Sequence, residues 1–291
     1  MALPVLLVTA LVSGLCLCVI LSRLVWRVPL MMLGCGCRDL HLLTPGTHCP
    51  HCRQLLPVWH QCPLVGQRVF GSQCKGCYRQ LGNQPWWVDG GVVLLTAFVV
   101  WRVPLLLPAL QILAFCTLLL ALAIIDLRHH SLPDLLTLPL LWGGLLAALL
   151  PDHGLPLADA VLGAALGWLA PWSLYWLMLW STHKAGIGYG DFKLIAALGA
   201  WFGYAGLPTI ILWAALVTLA ALWLRRIVQH RPLTAPIAFG PGLAISALYH
   251  GLYPLVPRYS CCFPAFLPTG CVFLSGKIKI VFISINIVPG A

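Results

Sequence analysis

Two aspartates lie where apolar runs long enough to cross a bilayer meet charged residues. Asp126 directly follows the uncharged run 103–125, and Asp191 lies just before the uncharged run 194–224. A carboxylate at membrane depth costs about 2.5–3.5 kcal/mol on insertion scales, so each aspartate needs a reason to be there. Asp126 would end a helix, where the helix dipole disfavours a negative charge. Asp191 would open one, where a structural N-cap is the alternative role.

The two aspartates could act together, because both are predicted at the same membrane boundary on separate helices. Two carboxylates a few ångströms apart cannot both ionise easily, so one of them holds a proton. The ionised carboxylate can then take a proton from water while the protonated one polarises a peptide carbonyl. This pattern predicts an aspartic peptidase with Asp126 and Asp191 as its catalytic pair. Asp134, which follows Pro133, is predicted to be a structural N-cap instead.

Alternating glycines precede Asp191 at Gly186, Gly188 and Gly190. Glycine adopts positive φ and leaves room for another chain to approach closely. We therefore predict that Gly188, Gly190 and Lys193 support the loop and the substrate beside the carboxylates. The run is not a phosphate-binding loop, because no Lys-Ser/Thr pair follows it and no third glycine lies at the dinucleotide-binding offset.

Two C-x-x-C pairs, Cys49 with Cys52 and Cys74 with Cys77, are separated by 21 residues. Four soft thiolates at this spacing are typical of a structural zinc site, which would hold together a loop with few large apolar residues. A redox pair and unused thiols are the alternatives, and a redox pair would need βαβ surroundings that the sequence lacks. Residues that could replace one of the ligands are Cys35, Cys37, Cys62, His48, His51 and His60.

The composition excludes an ordinary soluble domain. Of the 291 residues, 60% are hydrophobic and 8% are charged, and the mean hydropathy is +0.93, whereas a soluble domain has about 25% charged residues. The lipid bilayer must therefore surround most of the chain, which requires spanning helices. The net charge of +10 is not gathered into a stripe or a helix face, so it does not indicate nucleic-acid binding.

The uncharged runs predict an all-α polytopic membrane protein with about eight transmembrane helices. As one helix the run 194–224 would be roughly 46 Å long, too long for a hydrocarbon core of about 30 Å, so we predict a hairpin broken at residues 204–208. With the N-terminus outside, 13 of the 17 Lys and Arg residues fall on the inner side, which places both aspartates at the cytoplasmic face. The predicted spans are the runs 2–22, 90–101, 103–125, 135–151, 160–182, the two halves of 194–224, and 232–257.

This interpretation divides the chain into four parts. Residues 1–22 are a retained first transmembrane helix, because they lack the basic start of a signal peptide and stay apolar for about 20 residues. Residues 23–87 form a cytoplasmic cysteine-rich, zinc-ribbon-like loop, in a compartment that keeps thiols reduced. Residues 88–257 form a seven-helix membrane peptidase core. Residues 258–291 are a C-terminal tail to which the sequence assigns no role.

Together these motifs resemble those of the type IV prepilin peptidase family, over about residues 1–257. The segment Gly188-Tyr189-Gly190-Asp191 is similar to the family's G-x-G-D motif. The other similar segments are Ile125-Asp126, Leu132-Pro133-Asp134, Phe239-Gly240-Pro241 and the twin C-x-x-C loop.

The resemblance implies an eight-helix aspartic peptidase of the bacterial inner membrane. Such an enzyme removes the short basic leader of type IV prepilins or type II secretion pseudopilins at the cytoplasmic face, with Asp126 and Asp191 as the catalytic pair. Many members also methylate the new amino terminus with S-adenosylmethionine. This chain has Asp89 where the family usually has a glutamate, in the region associated with methyl transfer. The implied zinc ligands are Cys49, Cys52, Cys74 and Cys77.

Two other functions are compatible with some of these features. A proton-coupled transporter could carry paired aspartates, but it would place them near the bilayer midplane on broken helices. A zinc-dependent membrane methyltransferase without proteolysis would not need both aspartates and the glycine run. The sequence therefore favours the peptidase.

Overall fold

The computed structural model describes residues 3–32, 52, 54, 73–78, 86–103, 105–150, 154–182, 188–229 and 238–253. Within these ranges the chain forms helices and no strand, which confirms the predicted all-α class. The helices are α1 (Leu3–Met32), α2 (Trp86–Arg102), α3 (Leu106–His129), α4 (Asp134–Ala148), α5 (Leu157–Thr182), α6 (Tyr189–Gln229) and α7 (Gly240–Leu252).

Several helices are long and apolar enough to cross a membrane. By length and composition there are four candidate spans in the described residues, and the 15-residue helix α4 is a shorter apolar helix. Most large side chains on α5 face outward, as expected of a helix surrounded by lipid. The chain is therefore a membrane protein, and the finer prediction of eight spans stays a prediction. The four candidate spans are Val8–Pro29, Leu106–His129, Leu157–Ser181 and Tyr189–Val228.

The long helix α6 is interrupted at Gly203, whose φ of 71° and ψ of 174° are not helical. Few residues other than glycine adopt a positive φ of this kind without strain. We predicted the break at residues 204–208; it lies one residue earlier, and Pro208 falls inside the helical segment that follows. Glycine, not proline, therefore determines where the helix breaks.

Contacts on either side of Gly203 show that the chain reverses direction there. Along α7, from Gly242 to Ser246, the neighbouring residues in the second half of α6 run backwards from Thr218 to Ile210. The second half of α6 is therefore antiparallel to α7.

Helix α3 fixes the direction of the first half of α6. Phe115 contacts Gly251 of α7, and Asp126 contacts Gly240, so α3 is also antiparallel to α7. In the first half of α6, however, Trp201 lies against Phe115, with ring centroids 4.7 Å apart, and Asp191 lies near Asp126. That half runs opposite to α3, and the two halves of α6 form a hairpin.

Helix α5 packs closely against the first half of α6 through glycines. A Cβ atom added at Gly199 would lie 2.1 Å from the carbonyl oxygen of Gly163, and one added at Gly167 would lie 2.7 Å from the carbonyl oxygen of Ile195. Real Cβ atoms do not approach oxygen so closely, so only glycine allows the two backbones to touch. This contact fixes the helix that carries Asp191.

The core between α3, α6 and α7 is made of aliphatic side chains that are fully buried. These side chains include Leu119, Leu122, Ile125, Leu194, Leu198 and Leu243. Because protein interiors are close-packed, such a core holds the three helices in one arrangement. The residues at the ends of α3 and α6 are positioned by it.

Helix α1 continues past Ser22, where we predicted its end, to Met32. Arg23 and Arg27 do not interrupt a helix, and Val25 and Val28 are buried in the core. The segment 23–32 is thus helical rather than part of the cysteine-rich loop. Most of the predicted loop 23–87 and the whole tail 258–291 lie outside the described residues.

Candidate active site

Asp126 lies in the last turn of α3 and is buried, with 5% of its surface exposed. Its carboxylate oxygen Oδ2 accepts a hydrogen bond of 2.9 Å from the backbone N–H of Gly240, the first residue of α7. The helix ends just beyond Asp126, where His130 takes the left-handed conformation and donates its N–H to the carbonyl oxygen of Asp126 at 2.9 Å. Asp126 is therefore held through both its side chain and its main chain.

Asp191 lies in the first turn of α6 and is partly buried. The helix begins at Tyr189, and the N–H of Asp191 donates to the carbonyl oxygen of Gly188 at 3.1 Å. An N-cap residue precedes the first helical residue, so Asp191 is not the N-cap. The carboxylate of Asp191 nevertheless interacts with the backbone N–H of Gly188, the residue before the helix, as a first-turn side chain can, so a structural contribution and a chemical role are both compatible with its position.

The fold brings the two aspartates together from separate helices. The carboxyl groups of Asp191 and Asp126 are close enough to interact electrostatically. Both carboxylates sit at the same end of the helix bundle, one in a last turn and one in a first turn. A transporter site of the kind considered above would lie near the middle of the spans, and these residues do not.

The two glycines predicted to support this region lie beside Asp191. A Cβ atom added at Gly190 would lie 2.9 Å from the Cβ atom of Leu132, so the connection between α3 and α4 packs directly on the α6 backbone. A Cβ atom added at Gly188 would lie 3.7 Å from Oδ2 of Asp191. Gly190 thus permits a close approach between two elements, whereas Gly188 lies next to the carboxylate itself.

Lys193 and Asp134 form an ion pair that the sequence did not predict. We expected Asp134 to be an N-cap, but the N-cap of α4 is Pro133 and no side chain caps it. Asp134 is the first helical residue, and its Oδ1 accepts a hydrogen bond from Nζ of Lys193. The pair joins the start of α4 to the first half of α6, two residues after Asp191.

We expect this ion pair to contribute little stability, because the Lys193 and Asp134 side chains are 29% and 56% exposed. Exposed pairs contribute about 0–1 kcal/mol. Lys193→Gln and Asp134→Asn should each lower the free energy of unfolding by no more than about 1 kcal/mol, and the double variant should cost less than the sum. Thermal unfolding of the four proteins in one detergent measures this; additive effects would show that the two side chains do not interact.

Three of the four cysteines predicted to bind zinc converge in space. The sulfur atoms of Cys52, Cys74 and Cys77 all lie within 4.8 Å of one another, and those of Cys52 and Cys74 are 3.5 Å apart. Thiolates around a tetrahedral zinc ion at about 2.3 Å are roughly 3.8 Å apart, so the three sulfurs fit this ion. The fourth predicted ligand, Cys49, lies outside the described residues.

The backbone around this cysteine cluster also suits a metal site. The N–H of Gly76 donates to the sulfur of Cys74 at 3.4 Å, and the N–H of Tyr78 donates to the carbonyl oxygen of Cys74 at 2.8 Å. Hydrogen bonds to a ligand orient it and stabilise its charge. Tyr78 takes a positive φ of 55°, which closes the tight turn that carries Cys74 and Cys77.

Asp89 stands where the family that the sequence resembles usually has a glutamate. It is buried, with 1% of its surface exposed. It lies in the first turn of α2, and the Cys18 thiol of α1 donates to its main-chain carbonyl oxygen at 3.5 Å. Asp89 thus belongs to the interface between α1 and α2.

One residue of the site was not assigned a role from the sequence. Gly240 was noted only as part of a similar segment, but its N–H is the hydrogen-bond donor to Asp126. The signal available in the sequence was Pro241, because proline is common at the first position of a helix and so marks where free N–H groups begin. Which acceptor these N–H groups bind depends on which helix end packs against the start of α7, and the sequence does not reveal that.

Two sequence models of known families match the chain. A model of the type IV leader peptidase family matches residues 113–224, which include Asp126 and Asp191. A model of the bacterial peptidase A24 N-terminal domain matches residues 12–103, which include both C-x-x-C pairs. Neither match extends beyond residue 224.

Several curated proteins are similar over most of the chain. The prepilin leader peptidase/N-methyltransferase of Pseudomonas aeruginosa is 40% identical over 211 residues, 71% of each chain. The protein of the same name from Aeromonas salmonicida is 41% identical over 207 residues, 71% of this chain and 70% of its own. The one from Pectobacterium carotovorum is 36% identical over 254 residues, 82% of this chain and 90% of its own. No solved structure matches the chain significantly.

Proposed function

Because the chain belongs to the type IV leader peptidase family, we propose that it is a membrane aspartic endopeptidase that removes the basic leader of prepilins or pseudopilins. The observation that carries this proposal is the placement of Asp126 and Asp191 at one end of the bundle, on different helices and close enough to interact electrostatically. Relatives that are 40% identical over 71% of their length are named for this reaction.

In the proposed mechanism the two carboxylates share one proton at rest. The ionised one accepts a proton from a water molecule, whose oxygen attacks the scissile carbonyl carbon. The protonated one donates a hydrogen bond to the carbonyl oxygen, which becomes the oxygen of a tetrahedral intermediate. When the carbon–nitrogen bond breaks, a proton passes from the pair to the leaving amine. Asp126 and Asp191 supply both functions. Gly188, next to the Asp191 carboxylate, leaves room for the substrate chain, and Gly190 lets the connection between α3 and α4 pack on α6.

We further propose that eight spans cross a bacterial inner membrane, with the two aspartates at the cytoplasmic face. The hairpin in α6 supports this count, because its two halves bring the helical segments of the described chain to eight. Arg128 and Lys193 lie at the same end of the bundle as the aspartates, whereas Arg102 ends the helix that runs to the other end. Basic residues concentrate on the cytoplasmic side of membrane proteins. A substrate would present its basic leader there while its apolar segment stays in the bilayer.

The cysteine cluster is proposed to bind one structural zinc ion through Cys49, Cys52, Cys74 and Cys77. Zinc would hold the cysteine-rich loop together and take no part in the cleavage, because its ligand set would leave no open position.

Methylation of the new amino terminus is proposed as a second activity, on the strength of the relatives' names. Its methyl donor, S-adenosylmethionine, carries a carboxylate, an ammonium and ribose hydroxyls. An open groove along α5, of about 890 Å³, is lined by apolar side chains and Ser173. These residues include no charged partner for the donor's carboxylate and ammonium, so they do not fit it.

The proposed function predicts two mass changes in a prepilin incubated with the purified full-length protein in detergent. Mass spectrometry should show loss of the leader after cleavage, and a further gain of one methyl group only when S-adenosylmethionine is present. The enzyme heated to inactivation is the control. A methylated but uncleaved substrate would support the methyltransferase alternative, and an unchanged mass would contradict the proposed function.

The proposed orientation predicts opposite labelling of the two ends of α3. Leu105 and His129, at those ends, are both exposed, so a cysteine at either position can be reached from its own side of the membrane. In intact cells an impermeant thiol reagent should label Leu105→Cys and not His129→Cys, with the parent chain giving the background. Labelling of His129→Cys alone would show that the orientation is inverted.

A further inference from the structure

Resting on the proposed function, we propose that Gly240 is a positioning residue for cleavage, because its peptide N–H holds the Asp126 carboxylate in place opposite Asp191. The hydrogen bond is 2.9 Å long and buried. Within the described residues, this is the one hydrogen bond that the Asp126 carboxylate accepts. The Asp126 carboxylate therefore depends on the start of α7 for its orientation.

The start of α7 also supplies the free N–H groups and the positive partial charge that the end of α3 lacks. A carboxylate in the last turn of a helix faces the negative end of that helix's dipole. Gly240 opens another helix, whose first N–H groups have no partner within the helix and carry its positive end. Placing the start of α7 against the end of α3 therefore offsets the unfavourable position of Asp126.

The position of α7 does not depend on Asp126. Ser246 donates its hydroxyl to the carbonyl oxygen of Ile210 at 2.9 Å. A Cβ atom at Gly242 would lie 2.3 Å from Oγ1 of Thr218, so the helices touch there as well. Both contacts are with the second half of α6. The hairpin in α6 thus carries Asp191 on one half and supports, on the other, the helix that orients Asp126.

The space next to Gly240 is occupied by the Asp126 carboxylate itself. A Cβ atom added there would lie 2.6 Å from Oδ2 of Asp126 and 3.1 Å from its Cγ. An alanine would push the carboxylate away, and a displacement of about 1 Å in an active site can cost about a hundredfold in rate. The binding of substrate, which Gly240 does not contact in this proposal, would be unaffected.

The test compares three glycine-to-alanine variants of α7 in the full-length protein, with a prepilin as substrate. Gly240→Ala should lower kcat about a hundredfold with an unchanged KM. Gly251→Ala should leave kcat unchanged, because its Cβ would make an ordinary contact of 3.4 Å with Phe115. Gly242→Ala would create a clash with Thr218, at a distance from Asp126. It should therefore lower the thermal stability more than it lowers kcat.

A second variant removes the donor without adding atoms. Glycolic acid incorporated at position 240 by nonsense suppression replaces the N–H by an ester oxygen, and it should also lower kcat at least about tenfold at an unchanged KM. If the wild type cleaves and both position-240 variants keep its kcat, or lose activity only in proportion to lost stability, the positioning role is wrong. If the wild type does not cleave, the proposed function is wrong instead.

Discussion

Asp126→Asn and Asp191→Asn should each lower prepilin cleavage by about a thousandfold or more. An amide can neither take a proton from water nor give one to the leaving amine, and acid–base catalysis contributes about 10²–10⁴-fold per group. The two losses should not add in the double variant, because the carboxylates act as one unit. Single-turnover cleavage in detergent, followed by mass spectrometry, measures the effect.

Asp134→Asn is the matched control for this prediction. Asp134 lies at the same end of the bundle and is likewise an aspartate at a helix terminus, but it is half exposed and paired with Lys193. Its amide variant should keep cleavage within a few-fold of the wild type. Near-normal turnover in either Asp126→Asn or Asp191→Asn would overturn the proposed mechanism.

Cys74→Ser should reduce the bound zinc from about one ion per chain to nearly none. Cys74 is fully buried, and its sulfur lies 3.5 Å from that of Cys52. Serine cannot supply a soft thiolate to the ion, and the free energy of metal binding is what folds small sites of this type. The loop should therefore become sensitive to protease while the helices resist it. Elemental analysis of protein purified without chelator measures the metal.

Cys16→Ser is the control for the metal measurement. Cys16 is an exposed cysteine of α1 and is not part of the cysteine cluster. Its serine variant should keep the full metal content and the same protease pattern. A wild-type protein that contains no zinc, or a Cys74→Ser variant that keeps it, would show that the cluster is not a zinc site.

The chemistry of the site could be predicted from the sequence to a useful degree. Asp126, Asp191 and the C-x-x-C pairs are unusual residues for their surroundings, because carboxylates are costly at membrane depth and paired thiols are uncommon outside metal and redox sites. Such residues are conspicuous without any structure. The structure places Asp126 near Asp191, and Cys52 near Cys74 and Cys77, and the catalytic and zinc-binding roles remain predictions.

The helix boundaries were predicted less well, for local reasons. Charged residues at positions 23 and 27 suggested the end of α1, but arginine is a good helix former and the helix continues through them. Pro208 suggested the hairpin turn, but Gly203 supplies it through its positive φ. In both cases the residue types indicate roughly where a helix ends or breaks. The backbone conformation determines the residue at which it does so.

By itself the sequence determined that a lipid bilayer surrounds most of the chain, that the chain is helical, and which residues are able to do chemistry. Each of these depends on side-chain types and their spacing along the chain. The tertiary structure alone decided which ends of which helices meet. Asp134 pairs with Lys193, 59 residues away, and Asp126 with Gly240, 114 residues away. Contacts at these separations depend on how the helices pack, on glycines such as Gly199 that let backbones touch, and on the reversal at Gly203. No local pattern in the chain encodes them.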